Sequence, residues 1–247
     1  MQISHLFVRG LTFVAIALTL SACDQKATSQ QAETQQAVAA KNEIVALSGK
    51  TMGTTYHIKY WGNNEVSITS QQAHEQIESI LKEVNAKMST YIQDSEISRF
   101  NQNTQTNTPI EVSADFAHVV KEAMRLNQVT QGALDVTVGP VVNLWGFGPE
   151  KRVEKQPTQE QITERQASVG IDKLSLTEES GKFFLAKAVP QLYVDLSSIA
   201  KGFGVDQVAD YLESIHVQNY MVEIGGEIRA KGKNAKNKLW QIAIERP

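Results

Sequence analysis

Strand-like and helix-like periodicities alternate along this chain, and neighbouring strand candidates lie only a turn apart. That pattern constrains it to an α+β fold with a largely antiparallel sheet. Thr55–Tyr60 alternates apolar and polar residues, and Ile44–Leu47 is its candidate partner across the turn-like Gly49–Gly53. From Ser70 onward, Ala73, Ile77, Ile80, Leu81, Val84 and Met88 fall on one helical face. Met88–Asn101 breaks that period and reads as an ordered loop. A second helix starts at an N-cap candidate, Ser113, turns Phe116, Val119, Val120, Ala123 and Met124 inward, and stops by Gly132.

Gly132–Pro149 is apolar but studded with Gly and Pro, neither a clean strand nor a clean helix. Thr158–Gln161 has the form of a capping box opening a short helix that Gly170 closes. Strands are predicted at Lys173–Leu176, Phe183–Ala186 and Leu192–Val194. A helix over Ser198–Ile215 follows, with Ile199, Phe203, Val208, Tyr211 and Leu212 as core positions. Strands at Tyr220–Ile224, Ile228–Lys231 and Leu239–Ile244 end the chain, and Gly225-Gly226 has the form of a hairpin turn.

The first residues carry a different message. An apolar run from Leu11 to Leu20 follows Arg9 and is about half the ~20 residues needed to span a bilayer. It matches the centre of a secretory signal peptide over residues 1–22. The run ends in Leu20-Ser21-Ala22-Cys23, which resembles a bacterial lipobox. Cys23 is the single cysteine of the chain, so no intramolecular disulfide forms, and it reads as the lipidated first residue of the mature protein. Asp24 resembles an inner-membrane retention signal. The expectation is a protein anchored by lipid in a bacterial inner membrane and facing the periplasm. Residues 23–43, rich in Gln, Ala, Thr and Ser, lack the apolar surface to fold and form a tether. The remaining ~200 residues suffice for one domain, residues 44–247. Net charge is −3 with acids and bases interspersed, and no basic stripe or zinc-finger spacing points to nucleic acid.

The segment with most chemistry is Val194-Asp-Leu-Ser-Ser-Ile-Ala-Lys-Gly-Phe-Gly-Val-Asp206. A carboxylate, two serines and Lys201 crowd a helix N-terminus, where free N–H groups attract phosphates. Such a junction suits a phosphorylated ligand, a metal or a nucleophilic serine. Ser198-Ile-Ala-Lys201 has the Ser-x-x-Lys spacing of acyl-enzymes, but Ser-Asp-Asn occurs nowhere and Lys50-Thr51 is followed by Met52. A serine serving as N-cap is the plainer reading. No Gly-x-Gly-x-x-Gly follows a strand, no phosphate-loop motif is present, and the five histidines lack metal-ligand spacing.

Together, several separated segments resemble the ApbE family of FAD:protein FMN transferases. They are Gly49–Thr54, Met88–Tyr91 with Ser95–Arg99, Gly132–Pro140, Asn143–Gly148, Asp195–Asp206 and Glu223–Arg229. The resemblance implies a Mg²⁺-dependent enzyme that cleaves the FAD pyrophosphate. It would transfer FMN to a threonine or serine hydroxyl of a partner flavoprotein subunit through a phosphoester and release AMP. It places Met52, Tyr91, Ala133, Leu134, Asp135, Asp195 and Lys201 at flavin-site positions and Ser198 at a metal-ligand position, with Glu223 and Glu227 bordering the site. No catalytic residue is assigned. The residue chemistry is compatible: Tyr91 and Met52 offer apolar contact to rings, Asp135 and Asp195 accept hydrogen bonds, and Lys201 offers positive charge to pyrophosphate. The implied acceptor belongs to a membrane redox complex of the sodium-pumping or electron-transport kind. Alternatives are an FAD pyrophosphatase, a non-enzymatic flavin-binding lipoprotein and, more remotely, the Ser-x-x-Lys acyl-enzyme. The family resemblance also implies a further C-terminal segment with a histidine and an Asp/Thr cluster completing the metal site. Without that part, the expectation for a chain ending at Pro247 is an incomplete metal site and little or no transferase activity.

Overall fold

The alternation at Thr55–Tyr60 reflects a strand with one face in the core. In the computed structural model, which describes residues 44–61, 68–149 and 155–243, Tyr56, Ile58 and Tyr60 are buried while the residues between them face outward. This strand, β2 (Thr54–Trp61), pairs antiparallel with β1 (Val45–Thr51), in register Thr51 opposite Thr54. On its other side it pairs with β6 (Asn219–Ile224), and β6 pairs with β7 (Glu227–Lys231), giving a four-stranded antiparallel sheet in the order β1-β2-β6-β7.

Helices α1 (Ser70–Met88) and α6 (Ala200–Ser214) cover that sheet. Helix α1 starts at a capping box between Thr69 and Gln72 and buries Ala73, Ile77, Leu81, Val84 and Met88. That row is the predicted face, with Ile80 only half-buried at its edge. Each large apolar member contributes roughly 1.5–3 kcal/mol on burial.

A separate three-stranded antiparallel sheet, in the order β3-β5-β4, is built from β3 (Ile110–Val112), β4 (Leu174–Glu179) and β5 (Lys182–Lys187). It packs against α3 (Ala114–Val129), whose N-cap is Ser113 as expected; its hydroxyl accepts from Phe116 N–H at 3.2 Å. The fold is therefore α+β with antiparallel sheets flanked by helices. The one sheet expected from the sequence is divided in two, and among the described residues a parallel pairing occurs only as the bridge between Val138 and Tyr193.

Several local expectations are corrected. The second half of the supposed loop Met88–Asn101 is helix α2 (Glu96–Gln102), opened by Ser95, which accepts from Ser98 N–H. Two buried apolar residues, Ile97 and Phe100, are too few to display a period. Gly139–Leu144 is a short helix, α4, with Pro140 in its first turn; Gln159–Gln166 is α5, opened by the expected Thr158–Gln161 capping box but ending at Gln166, short of the expected Gly170. The strand β3 is too short for alternation to register. Leu239–Ala243 forms no ladder beyond a bridge between Lys233 and Leu239, and Ile244 lies outside the described residues. Leu192–Val194 is extended but is not a strand, because side-chain bonds and that single bridge replace a neighbouring strand on both edges. Helix α6 begins at Ala200, not Ser198, and Ile199 occupies its N-cap position without a side-chain bond, so neither serine caps it. The signal, the tether and Cys23 lie outside the described residues.

A charged cluster ties α6 to the edge strand. Arg229 on β7 pairs with Asp206, Asp210 and Glu213 of α6 at 2.9, 2.9 and 3.0 Å, and Lys231 reaches Glu213 at 2.6 Å. Hydrogen bonds from Lys231 and Tyr220 hold the Glu213 carboxyl down at about 2. Its folded value lies below the ordinary 4.5, so its contribution is present above pH 4.5 and lost as pH falls towards 2. Glu213→Gln is expected to remove about 1 kcal/mol at pH 7 after solvent screening, with the gap to wild type closing below pH 3. Urea unfolding at both pH values measures it; a gap that persists at pH 2 contradicts it.

Candidate functional site

The tip of the β1–β2 hairpin faces the start of α6. Its two-residue turn has Met52 at φ +50° and Gly53 at φ +73°, both left-handed, as a type I′ turn requires. Glycine adopts that conformation freely, whereas methionine bears about 1 kcal/mol of strain there. Packing compensates: Met52 touches both hydrophobic cores, and its methyl lies so near α6 that a Cβ on Gly204 would come within 2.9 Å. Asn85 of α1 secures the hairpin by donating to Thr51 Oγ1 at 2.9 Å.

Met52 and Gly53 form one wall of a cavity of about 540 Å³, a size that suits a cofactor-scale ligand. Val84, Asn85 and Met88 at the end of α1 form another wall, and the following turn brings Ser89 to Ile92. Tyr91 stands at the rim, 67% exposed, its hydroxyl donating to the Phe147 carbonyl at 2.9 Å. Phe147 is itself 75% exposed, so aromatic surface flanks the mouth. If the cavity takes the flavin that the ApbE resemblance implies, Tyr91→Ala is expected to weaken its binding roughly tenfold, whereas Tyr91→Phe, which loses one exposed hydrogen bond, stays within about threefold. Fluorescence titration of both variants measures this; equal losses would assign the effect to the hydroxyl.

Ser197, Ala200 and Lys201 close the cavity at the N-terminus of α6. This helix start has no side-chain cap, so its N-terminal dipole and ammonium together favour an anion. Lys201 Nζ contacts Glu227 Oε2 at 2.9 Å and donates to the Gly225 carbonyl at 3.3 Å, both on the β6–β7 hairpin. Glu223 of that hairpin accepts from Gly226 N–H at 2.7 Å and faces His57 at 2.8 Å. Gly225 and Gly226, at φ +54° and +97°, form the expected two-residue turn.

Met52, Tyr91 and Lys201, predicted from three distant segments, thus share one cavity. Asp195 is one step behind the wall, its Oδ1 accepting from Ser197 N–H at 2.9 Å and Ser197 Oγ at 2.5 Å. Its own N–H donates to the Val136 carbonyl at 2.7 Å, which lays the Ala133–Asp135 segment alongside. Ala133 and Leu134 do not line the cavity; Leu134 packs on the core. Asp135 directs its carboxylate to local backbone: Oδ1 accepts from Thr137 N–H and Oγ1, Oδ2 from Ile171 N–H at 3.2 Å. Ser198 is exposed and also off the wall. Helix α6 starts after Ser198, and Glu227, not a serine, engages the Lys201 ammonium. Asn85 and Ile92 on the wall carried no sequence signal, and Ser89, Thr90 and Ser197 lay in the ApbE-like segments without an assigned role in the site; the fold brings all five in.

The match to the ApbE family model extends over residues 52–247. The chain belongs to the ApbE family. It is 66% identical over 240 residues to the FAD:protein FMN transferase of Haemophilus influenzae, covering 97% of this chain and 65% of that relative. Among solved structures it resembles the flavin transferase ApbE from Vibrio cholerae, with TM-score 0.78 and 56% identity over 83% of this chain and 64% of that one. The apo flavinyl transferase ApbE of Pseudomonas stutzeri gives TM-score 0.76 at 36% identity, over 83% and 66% of the two chains. The chain thus spans about 65% of the length of the Haemophilus ApbE relative. The ApbE-like segments recognised in the sequence are the ones that build the hairpin tip, the Tyr91 turn and the α6 junction.

Proposed function

We propose that this chain carries the flavin-transfer site of an FAD:protein FMN transferase. What supports the reading is the convergence of Met52, Tyr91 and Lys201 on one cavity in a chain of this family. FAD lies with its flavin toward Met52 and Tyr91 and its pyrophosphate toward Lys201 and the α6 N-terminus. The acceptor's threonine or serine oxygen attacks the FMN-side phosphorus, the bond to the bridging oxygen breaks, and AMP departs while the hydroxyl proton passes to solvent. Such transfers rest on positioning and charge stabilisation. Lys201 supplies positive charge along the pyrophosphate, and Glu227 sets where that ammonium rests before the ligand arrives.

Mg²⁺ would neutralise pyrophosphate oxygens, and the family resemblance puts Ser198 at a ligand position. Among the described residues no group of three His, Cys, Asp or Glu could hold a metal, and Ser198 is a lone exposed hydroxyl. These residues alone do not fit a Mg²⁺ site, and no step is derived through one. The proposed partner is a flavoprotein subunit of a membrane redox complex, met in the periplasm by a chain anchored through Cys23. No described helix is long and apolar enough to cross a membrane.

The test incubates the 247-residue chain with FAD, Mg²⁺ and a candidate acceptor subunit. Flavin fluorescence on the acceptor band with matching AMP supports transfer. AMP and FMN without labelling indicates hydrolysis, bound FAD with neither product indicates a binding protein, and no FAD binding ends the reading.

A further inference from the structure

We propose that Asn101, seated on the buried ammonium of Lys187, is a positioning residue for the Asp195–Lys201 rim of the cavity. The proposal rests on the reading of that cavity as the flavin site. Lys187, the last residue of β5, is 1% exposed. Among the described residues its Nζ donates only to carbonyls: Asn101 at 3.0 Å, Leu192 at 3.2 Å and Pro190 at 3.5 Å; the Phe100 ring lies 5.2 Å away. A buried cation without a carboxylate is costly, and one spent on three backbone oxygens organises those strands of chain about a point.

The Asn101 carboxamide then takes both the N–H and the carbonyl of Val194. Oδ1 accepts from Val194 N–H and Nδ2 donates to the Val194 carbonyl, each at 2.8 Å. This is the pair of bonds a neighbouring strand would make, supplied by one side chain 93 residues away. The next residue is Asp195, whose N–H is held by Val136 and whose carboxylate holds Ser197 on the cavity wall. Lys187, Asn101, Val194, Asp195 and Ser197 thus form one connected line from the second sheet to the mouth of α6. Neither Asn101 nor Lys187 touches the cavity. Its function is to set the height and tilt of the rim, where a misplacement near 1 Å costs on the order of 100-fold in rate.

The full chain, its Asn101→Ala and Lys187→Met variants and the double variant are compared by amide hydrogen exchange and by FAD titration. Asn101→Ala is expected to speed exchange at Val194 and Ser197 at least about tenfold and to weaken FAD binding by a similar factor, while Ile58 and Val222 in the four-stranded sheet keep their rates. The double variant is expected to be no worse at Ser197 than Asn101→Ala, since both act through one line. Unchanged exchange at Ser197, faster exchange spread equally to Ile58 and Val222, or faster Ser197 exchange with unaltered FAD affinity would each overturn the proposal. If the wild type binds no FAD, the flavin-site reading falls and Ser197 exchange alone decides whether Asn101 positions the rim. Should Asn101→Ala not fold, Asn101→Asp, which keeps the acceptor for Val194 N–H and loses the donor to its carbonyl, carries the same measurements.

Discussion

At the proposed flavin site, Lys201→Ala is expected to weaken FAD binding roughly 30- to 100-fold while leaving the thermal midpoint within a few degrees of wild type. A charge-assisted hydrogen bond to pyrophosphate contributes about 2–3 kcal/mol, and each 1.4 kcal/mol is about tenfold in affinity. Stability is less affected because the Lys201–Glu227 pair is partly solvated, with side chains 30% and 38% exposed, and such pairs give about 1 kcal/mol or less. Glu227→Gln separates two roles for the carboxylate. If Glu227 only parks the ammonium, its amide variant binds FAD as tightly as wild type or more so. Fluorescence titration with calorimetric melting reads both quantities, and wild-type affinity in Lys201→Ala sinks the assignment of Lys201 to the pyrophosphate.

Lys187→Met is expected to lower stability by about 1–3 kcal/mol at pH 7, and hence the melting temperature by roughly 3–10 °C. Two effects oppose each other. Removing a buried ammonium relieves its desolvation, which pushes Lys187 down to about 8. It also orphans the carbonyls of Asn101, Leu192 and Pro190, at about 1–3 kcal/mol for each fully buried group. The orphaned carbonyls outweigh the relief. The pH dependence carries a distinct signature. The folded value lies below the ordinary 10.5, so between pH 8 and 10.5 the unfolded chain binds more protons, and this group raises stability as pH rises. Methionine lacks that slope, so the gap between wild type and variant widens by roughly 1–3 kcal/mol across the window. Denaturant titrations at pH 7, 9 and 10.5 check it; a constant gap refutes it.

Legibility differed by the kind of physics each element depends on. Helix α1 and strands β2 and β6 were readable because each buries one face over several periods, so burial writes itself into the residue order. The hairpin tip was readable as a turn, yet nothing in Gly49–Gly53 announces that Met52 itself takes a left-handed conformation and enters the cavity. Helix α2 was missed because seven residues with two buried apolar positions cannot establish a period. Leu192–Val194 looked like a strand because it is extended and buried, but burial alone does not say who satisfies its backbone. A side chain does so here.

The candidate site divides along the same line. Met52, Tyr91 and Lys201 were named through family resemblance, and they meet in one cavity. Asp135 and Ser198 were named on the same basis, but local geometry turns the first toward Thr137 and Ile171 and leaves the second outside the wall.

By itself, then, the sequence determined the α+β class, the amphipathic helices, the hairpins and the family, because periodicity and motif order are properties of neighbours along the chain. Only the tertiary structure decided which motif residues share a cavity, where α6 begins, and that Asn101 and Lys187 hold up its rim. Those depend on contacts between residues far apart in sequence, such as Asn101 and Val194, whose bonding neither local propensity nor spacing encodes.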